Sequence, residues 1–421
     1  MNFDPGRGKT LWMDWAQLAL LTLLSPLFLF PSKPLLWIFF ALPFFLAARG
    51  MMRQCLLGPS EFDWPIALMC LSLFASLFFL SDIGPSVEKI LGLVFGILMF
   101  YSLNNVLVSE KTLRFAIGGF VVLGTGLSIF SFLGLDWRFN MEPGIEKIII
   151  PMSRVVPRVH WKLPGAEEGF NANAVAGTLS LVFPLAVILF LAPGQKENPQ
   201  KTSSLGRLRM PSLATAILVM GVTLIVTQTI ATWIAVALSV WIAVVPKRWK
   251  IPSAGIAAVM IGVLILAAAH RPGFIHRYVG GKIVPREKMW ILGIESVEKN
   301  PIFGLGMNRF RLIPTIYYFY AHAHNHLIHT AAELGIPGLT AYTAILLIMA
   351  FVCLSALKSC KTPWLQAGLK GLGAGQLAFF IFGIGDSIPL GAKTGVFFWI
   401  SLAMITSLAH FSSAVEGKRE G

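Results

Sequence analysis

The sequence is poor in charged residues, and acidic ones are the scarcer kind. Only 13% of its 421 residues are charged, while 56% are apolar; a soluble domain carries roughly 25% charged and about 45–50% apolar residues. This shortage excludes a cytosolic enzyme and indicates a membrane protein. The net charge of +14 would suggest a nucleic-acid surface in a soluble protein, but in a membrane protein such a surplus normally lies in cytoplasmic loops. We therefore expect contact with membrane lipids and no nucleic-acid partner.

Cysteine is also scarce. Four scattered cysteines are too few for a disulfide scaffold, and without a Cys-x-x-Cys pair they give no sign of a structural zinc site. We expect them to be packing residues and expect no metal in the protein. No small-residue cleavage site follows the first apolar segment, which therefore predicts a retained helix and not a signal peptide.

Long apolar segments are abundant. About 20 apolar residues are needed to cross roughly 30 Å of hydrocarbon, and the sequence predicts an all-α polytopic membrane protein with about 12 transmembrane helices. The predicted spans are 15–32, 34–49, 64–81, 87–107, 114–134, 173–192, 212–227, 229–246, 251–270, 337–357, 366–385 and 393–412. The corresponding regions are membrane helices at 1–134, a first long loop at 135–172, central membrane helices at 173–270, a large loop at 271–336, and membrane helices with a short tail at 337–421.

Basic residues lie mainly on one side of these spans. If the N-terminus is cytoplasmic, the inside loops contain basic clusters such as 49–53 and 247–250, whereas the short outside turns contain only Lys33. The positive-inside rule then predicts cytoplasmic N- and C-termini and places both long loops outside. The basic residues of those loops would suit an anionic ligand such as a lipid phosphate. Solvated loop charges or head-group contacts are the alternative.

Four histidines lie within eight residues, at His322, His324, His326 and His329. Three interpretations stay open. The first is a transition-metal site with His322, His326 and His329 on one helical face and Glu333 as the nearest acidic partner. The second is a group of interfacial histidines without a task, and the third is general acid/base catalysis, which suits a neutral imidazole near its pKa.

Local signals place these histidines at the start of a helix. Gly335 is positioned to end a short helix before Pro337 opens the next one. Upstream, Trp290, Ile294 and Val297 share one face, which predicts an amphipathic helix that lies at the interface and ends at Pro301.

The first turn of that amphipathic helix predicts an anion site. Arg286 lies there, where its guanidinium and the free N–H groups could hold a phosphate. The Gly304-Leu305-Gly306 segment is not a dinucleotide fingerprint, because no strand precedes it, and it predicts a tight turn instead.

These motifs resemble a known family. The segment from His324-Asn325 through nine residues to Gly335 and Gly338 resembles the His-Asn, Gly-x-x-Gly signature of bacterial O-antigen ligases. The pattern from Arg286 to Phe310 is similar to the outer loop of the wider O-antigen ligase/polymerase superfamily, and residues 169–173 resemble a weaker third element. The resemblance implies a GT-C-like glycosyltransferase with a helical periplasmic cap, located in the bacterial inner membrane with its active site facing the periplasm.

The resemblance also implies a reaction. A ligase transfers O-antigen polysaccharide from undecaprenyl pyrophosphate to a sugar hydroxyl of lipid A-core, with inversion and without a metal or cofactor. The implied site residues are His324 as the catalytic base, Arg286 with Arg154 or Arg158 as pyrophosphate contacts, and Asn325, Gly335 and Gly338 in support. One departure is that many relatives carry Ser-Arg-Gly where this chain reads Thr229-Ile230-Ala231, so the usual arginine is missing. Arg154 or Arg158 is its expected replacement.

Two alternatives remain. An O-antigen polymerase uses the same donor, and the spacing of Arg158 and Gly169 fits an Arg-containing loop of polymerases. A transporter or flippase would also have about twelve spans, but transporters tend to place charges at mid-membrane. Here the ionisable residues of the spans lie near their edges, namely Glu88, Lys89, Lys370 and Asp386.

Overall fold

A computed structural model describes residues 15–19, 58–134, 171–192, 204–246, 248–249, 284–314 and 322–420. Within these ranges the chain is helical and contains no strand. The ten α-helices are α1 (Asp63–Leu77), α2 (Val87–Val106), α3 (Glu110–Gly134), α4 (Ala172–Leu191), α5 (Ser204–Val226), α6 (Ile230–Val244), α7 (Val284–Lys299), α8 (His326–Ser359), α9 (Pro363–Gly385) and α10 (Val396–Glu420).

In the described part of the chain, six helical segments are long and apolar enough to cross a membrane: Gly84–Val106, Glu110–Ser131, Ala172–Leu191, His326–Ser359, Pro363–Gly385 and Val396–Gly417. The shorter apolar helices are Asp63–Leu77, Met210–Val226 and Ile230–Val244. All nine predicted spans within the described ranges fall on helices, so the all-α, multi-pass class is confirmed. Spans 34–49 and 251–270, most of span 15–32 and loop 135–170 with Arg154 and Arg158 lie outside the described residues. The total of twelve spans, the domain boundaries and the GT-C-like architecture therefore stay predictions.

Glycines let α4 and α9 approach closely. A Cβ at Gly375 of α9 would lie 2.2 Å from the carbonyl oxygen of Leu181, and one at Gly177 of α4 would lie 2.4 Å from the ring of Phe382. Small residues at such contacts allow helix backbones to pack tightly in membrane proteins. The close packing brings the beginning of α4 beside the end of α9, where the candidate site lies.

Helix α8 is kinked at Gly335, whose φ of 69° and ψ of −175° are not helical. Pro337 has no N–H, so the carbonyl of Glu333 lacks its usual helical donor. The N–H of Gly306 donates to that carbonyl instead, at 3.0 Å. The prediction that Gly335 ends a short helix before Pro337 opens the next is thus confirmed, because two helical segments meet at the kink within α8.

The loop after α7 fills this kink. Two further backbone hydrogen bonds fasten it, from Leu305 N to Ala332 O at 2.8 Å and from Ile336 N to Pro301 O at 2.7 Å. Gly304 and Gly306 have φ of 63° and 89°, which confirms the predicted tight turn. Because a Cβ at Gly335 would lie 2.2 Å from the carbonyl oxygen of Ile302, the loop and the kink fit together only with glycine at this position.

Candidate active site

His324 has a left-handed backbone conformation, with φ of 51°. Non-glycine residues adopt this region uncommonly, and a strained conformation persists when its surroundings hold it. Here both peptide groups of His324 are held by side chains. Its N–H donates to Nδ1 of His322 at 3.3 Å, and its carbonyl accepts from Nε1 of Trp290 in α7 at 3.2 Å.

Asn325 fixes the start of α8 next to His324. Its side-chain oxygen accepts from the N–H groups of Leu327 and Ile328, at 3.0 and 3.1 Å, which makes it the N-cap of the helix. Its amide donates to the carbonyl of Ile384 at 3.1 Å. Asn325 therefore joins the start of α8 to the end of α9, while its supporting role in the reaction stays a prediction.

Asp386, directly after α9, is the carboxylate of the site. Its Oδ1 lies 3.2 Å from Nδ1 of His324 and 3.7 Å from Nε2 of His322, and it accepts from the Ser387 N–H at 2.8 Å. Its side chain is only 1% exposed. Burial alone raises the pKa of this carboxyl, but the hydrogen bond from His324, the two imidazoles and the Ser387 N–H together hold it below its ordinary value.

This arrangement sets the proton positions on the two imidazoles. An ionised carboxylate can only accept, so Nδ1 of His324 carries the proton that is donated to Asp386. Nε2 of His324 is then left with its lone pair. Nδ1 of His322 accepts from a backbone N–H, so the proton of neutral His322 is on Nε2, the atom nearest Asp386.

His322 is neutral at physiological pH. Burial is the main reason that its pKa falls from 6.5 to about 4; Asp386 opposes the fall, and the charges of His324, Lys89 and Arg286 add to it. The contributions of Lys89 and Arg286 show that two cations lie close to the histidines.

A metal could in principle use the same three side chains. Ligand atoms of His322, His324 and Asp386 all lie within 4.8 Å of one another. A metal on Nε2 of His322 would, however, require the proton on Nδ1, where it would face the His324 N–H. The described hydrogen bonds therefore suit proton transfer better than metal ligation.

Residues 215–343 match the O-antigen ligase family model. This segment contains α6, α7, His322, His324 and the kink of α8, so the resemblance read from the His-Asn and Gly-x-x-Gly motifs is confirmed there. Members of the O-antigen ligase/polymerase superfamily are membrane glycosyltransferases that act on lipid-linked polysaccharide. A comparison with curated proteins finds no match.

The structure corrects two expectations about the cluster of four histidines between His322 and His329. The prediction that His322, His326 and His329 share one helical face is wrong, because α8 begins at His326 and His322 lies before it. His326 turns inward and packs on the rings of Tyr342 and Phe379, with centroids 4.8 and 5.5 Å apart.

The expectation that Glu333 is the acidic partner of the cluster holds for His329 but not for His322. It accepts from the Phe310 N–H at 3.3 Å and lies 3.5 Å from Nε2 of His329. Asp386 takes the position next to His322 and His324. It lies 62 residues from His324 along the chain. The sequence feature that could have linked the two residues is that both lie at the predicted outer boundary of the membrane.

Helix α7 ends where the predicted interfacial helix should end, and the contact of its apolar face with the membrane stays a prediction. The helix ends at Lys299, just before Pro301. Met289, Gly293 and Ser296 face the protein, whereas Ile294, predicted to share the apolar face, is 49% exposed. Arg286 does lie in the first turn.

The position where an arginine is missing belongs to the site. The Thr229 hydroxyl donates to Oδ1 of Asn173 at 3.0 Å, and Nδ2 of Asn173 donates to Oδ2 of Asp386 at 2.8 Å. Thr229 and Asn173 thus extend the hydrogen bonds of His324 and Asp386 into α4 and the turn between α5 and α6. Neither Thr229 nor Asn173 is among the site residues predicted from the motifs.

Proposed function

We propose that the protein is an O-antigen ligase, which transfers O-antigen polysaccharide from undecaprenyl pyrophosphate to a sugar hydroxyl of lipid A-core. The observation that carries the proposal is the His324–Asp386 pair. Its carboxylate is buried and its imidazole partly buried at the meeting point of α8 and α9, and His324 lies within the segment that matches the ligase family.

His324 acts as general base in this proposal. Nδ1 is bound to Asp386, so Nε2 takes the proton of the acceptor hydroxyl as its oxygen attacks the anomeric carbon of the donor. The new C–O bond forms while the bond from that carbon to the pyrophosphate oxygen breaks, which inverts the configuration. Asp386 then stabilises the imidazolium, as the carboxylate does in a Ser-His-Asp triad.

Cations near the histidines stabilise the leaving pyrophosphate. Arg286 lies in the first turn of α7, and its charge and that of Lys89 both act on His322. Preorganised cations of this kind stabilise an anion that gains charge in the transition state, each by about 3–4 kcal/mol. Arg154 and Arg158 complete the proposed contacts, and no metal or cofactor takes part.

The proposed orientation follows from the positive-inside rule. With both termini cytoplasmic, the His324–Asp386 end of the bundle faces the periplasm and the protein lies in the bacterial inner membrane. The donor lipid and lipid A-core both present their glycans on that side.

Complementation of a deletion strain tests the proposal. We expect His324→Ala to fold and to leave O-antigen absent from lipid A-core on a lipopolysaccharide gel. His410→Ala is the matched control, because His410 pairs with Glu61 away from the site, and it should restore O-antigen. Normal O-antigen on lipid A-core in the His324→Ala strain would remove His324 from the reaction and overturn the mechanism.

An O-antigen polymerase is the second candidate, favoured by the spacing of Arg158 and Gly169. The same deletion strain separates the two. Loss of a ligase leaves glycan on the undecaprenyl carrier, whereas loss of a polymerase leaves single repeats attached to lipid A-core. A transporter would show neither transfer in a purified system nor dependence on His324.

A further inference from the structure

The hydrogen-bonded chain that leads away from His324 joins four separate parts of the fold. It runs from Nδ1 of His324 to Oδ1 of Asp386, then from Oδ2 of Asp386 to Asn173, and from Asn173 to Thr229. Asn173 is in the first turn of α4, and Thr229 lies between α5 and α6. Its outer members touch neither His324 nor the cations near it, so any effect they have on transfer must pass through Asp386.

We propose that Asn173 and Thr229 are positioning residues, which fix the Asp386 carboxylate so that one oxygen always faces the imidazole of His324. This inference rests on the proposed function. It deepens that function by adding two residues that hold the base without touching either substrate.

The orientation of Asn173 follows from its neighbours. The ionised carboxylate of Asp386 accepts hydrogen bonds and cannot donate, so Asn173 must present its NH₂ group to it. Oδ1 of Asn173 then faces Thr229, whose hydroxyl supplies the matching donor. The reversed amide would point an oxygen at the carboxylate and lose the hydrogen bond to it, so Asp386 sets the orientation of the amide. The Thr229 hydroxyl, which also lies 3.2 Å from the Thr227 carbonyl, then holds Oδ1 of Asn173 in place.

The carboxylate in turn has a different task for each oxygen. Oδ2 is held by Asn173 at 2.8 Å, while Oδ1 accepts from the Ser387 N–H and faces His324. Without Asn173 the carboxylate could rotate about its χ2 bond, a broad torsion in aspartate. His324 would keep its place in the backbone but lose a fixed partner for Nδ1.

Steady-state kinetics of the purified full-length protein, with undecaprenyl-pyrophosphate glycan and lipid A-core, test this role. We expect Asn173→Ala to lower kcat by about 10- to 100-fold, the loss typical when a group that orients a functional histidine is removed. Thr229→Val should lower kcat by about two- to tenfold, the rate equivalent of one hydrogen bond. KM for both substrates should stay unchanged, and Thr229→Ser should restore kcat.

Two neighbouring substitutions serve as controls. The Thr227 hydroxyl lies in the same turn but donates to the Leu224 carbonyl, and Oδ1 of Asn104 accepts from Ser407. Thr227→Val and Asn104→Ala should therefore transfer glycan with the wild-type kcat. The inference is overturned if Asn173→Ala keeps the wild-type kcat, if Thr227→Val loses as much as Thr229→Val, or if Thr229→Ser fails to restore transfer.

A second readout needs no substrate, so it separates this inference from the proposed function. Diethyl pyrocarbonate modifies accessible neutral imidazoles, and mass spectrometry of the His324 peptide gives the rate. We expect faster modification in Asn173→Ala than in wild type or Asn104→Ala, because His324 is no longer held against a fixed carboxylate. If wild-type protein transferred no glycan, the proposed function would fail, but the modification rate would still test whether Asn173 positions Asp386 against His324. Equal rates in all three proteins would overturn that inference.

Discussion

Two of the histidine–carboxylate pairs in the described residues, His410–Glu61 and His324–Asp386, lie in very different surroundings. His410 of α10 lies 2.8 Å from Glu61, with side chains that are 40% and 37% exposed. His324 lies 3.2 Å from Asp386, with side chains that are 15% and 1% exposed. The exposed pair has the shorter contact, so distance alone does not mark the functional pair.

The surroundings of the two pairs differ in what they fix. The hydrogen bond from His410 lowers the pKa of Glu61, and burial partly offsets this effect. The pair connects α10 to the segment before α1. Around His324, a left-handed backbone, two side-chain hydrogen bonds to the peptide groups and a chain of partners to Asp386 determine a single geometry. Such over-determined strain is typical of active sites.

The largest contrast between the pairs is expected from removal of each carboxylate charge. In Asp386→Asn the amide would donate towards Nδ1 of His324, so the imidazole proton would move to Nε2 and the base would be lost. We expect glycan transfer by the purified protein to fall by about 10²- to 10⁴-fold, the range for loss of general-base catalysis. Glu61→Gln should transfer at the wild-type rate; comparable losses in both variants would erase the distinction.

A second contrast concerns the kink that supports the site. Ala at position 335 must take φ of 69° with its Cβ against the Ile302 carbonyl, which costs at least about 1–3 kcal/mol. Gly335→Ala should therefore lower both the thermal midpoint in detergent and transfer. Gly126→Ala in α3 is the control, since no atom lies within 4 Å of the added Cβ. Equal midpoints for the two variants would contradict the tight fit of loop and kink.

The site and the His410–Glu61 pair should also differ in the pH range over which acid weakens them. The pKa of His322 is about 4 in the folded protein and 6.5 ordinarily, so the unfolded chain binds more protons between these values. Its contribution to stability is fully present above pH 6.5 and declines as the pH falls towards 4. The lowered pKa of Glu61 acts in the same sense but at lower pH: its contribution is present above pH 4.5 and is lost below that value as the carboxylate is protonated.

Thermal midpoints recorded from pH 7 to 4 check this difference. His322→Gln should flatten the decline between pH 6.5 and 4, whereas Glu61→Gln should leave that interval unchanged. An identical decline in wild type and His322→Gln would show that His322 does not titrate in this way.

The smallest effect is expected from the exposed pair itself. Exposed ion pairs contribute about 0–1 kcal/mol and weaken in salt. His410→Gln should therefore shift the thermal midpoint only slightly, and the shift should shrink further in high salt. A large, salt-insensitive loss would mean that this end of the bundle is as tightly determined as the site.

The fold could be predicted largely from the sequence, because long apolar segments and the Gly335–Pro337 signal depend on local chemistry. The same holds for His324 and Asn325, which belong to a short motif. Asp386 could not be predicted as the partner, since its pairing depends on how α8 and α9 pack.

Transfer by purified protein tests the central claim most directly. Wild type, His324→Ala and His410→Ala are mixed with undecaprenyl-pyrophosphate glycan and lipid A-core, without ATP or an ion gradient. We predict that wild type and His410→Ala attach glycan to lipid A-core, while His324→Ala binds the donor and transfers none. Transfer by His324→Ala at the wild-type rate, or no transfer by the wild-type protein, would contradict the assignment of the buried pair as the catalytic centre of an O-antigen ligase.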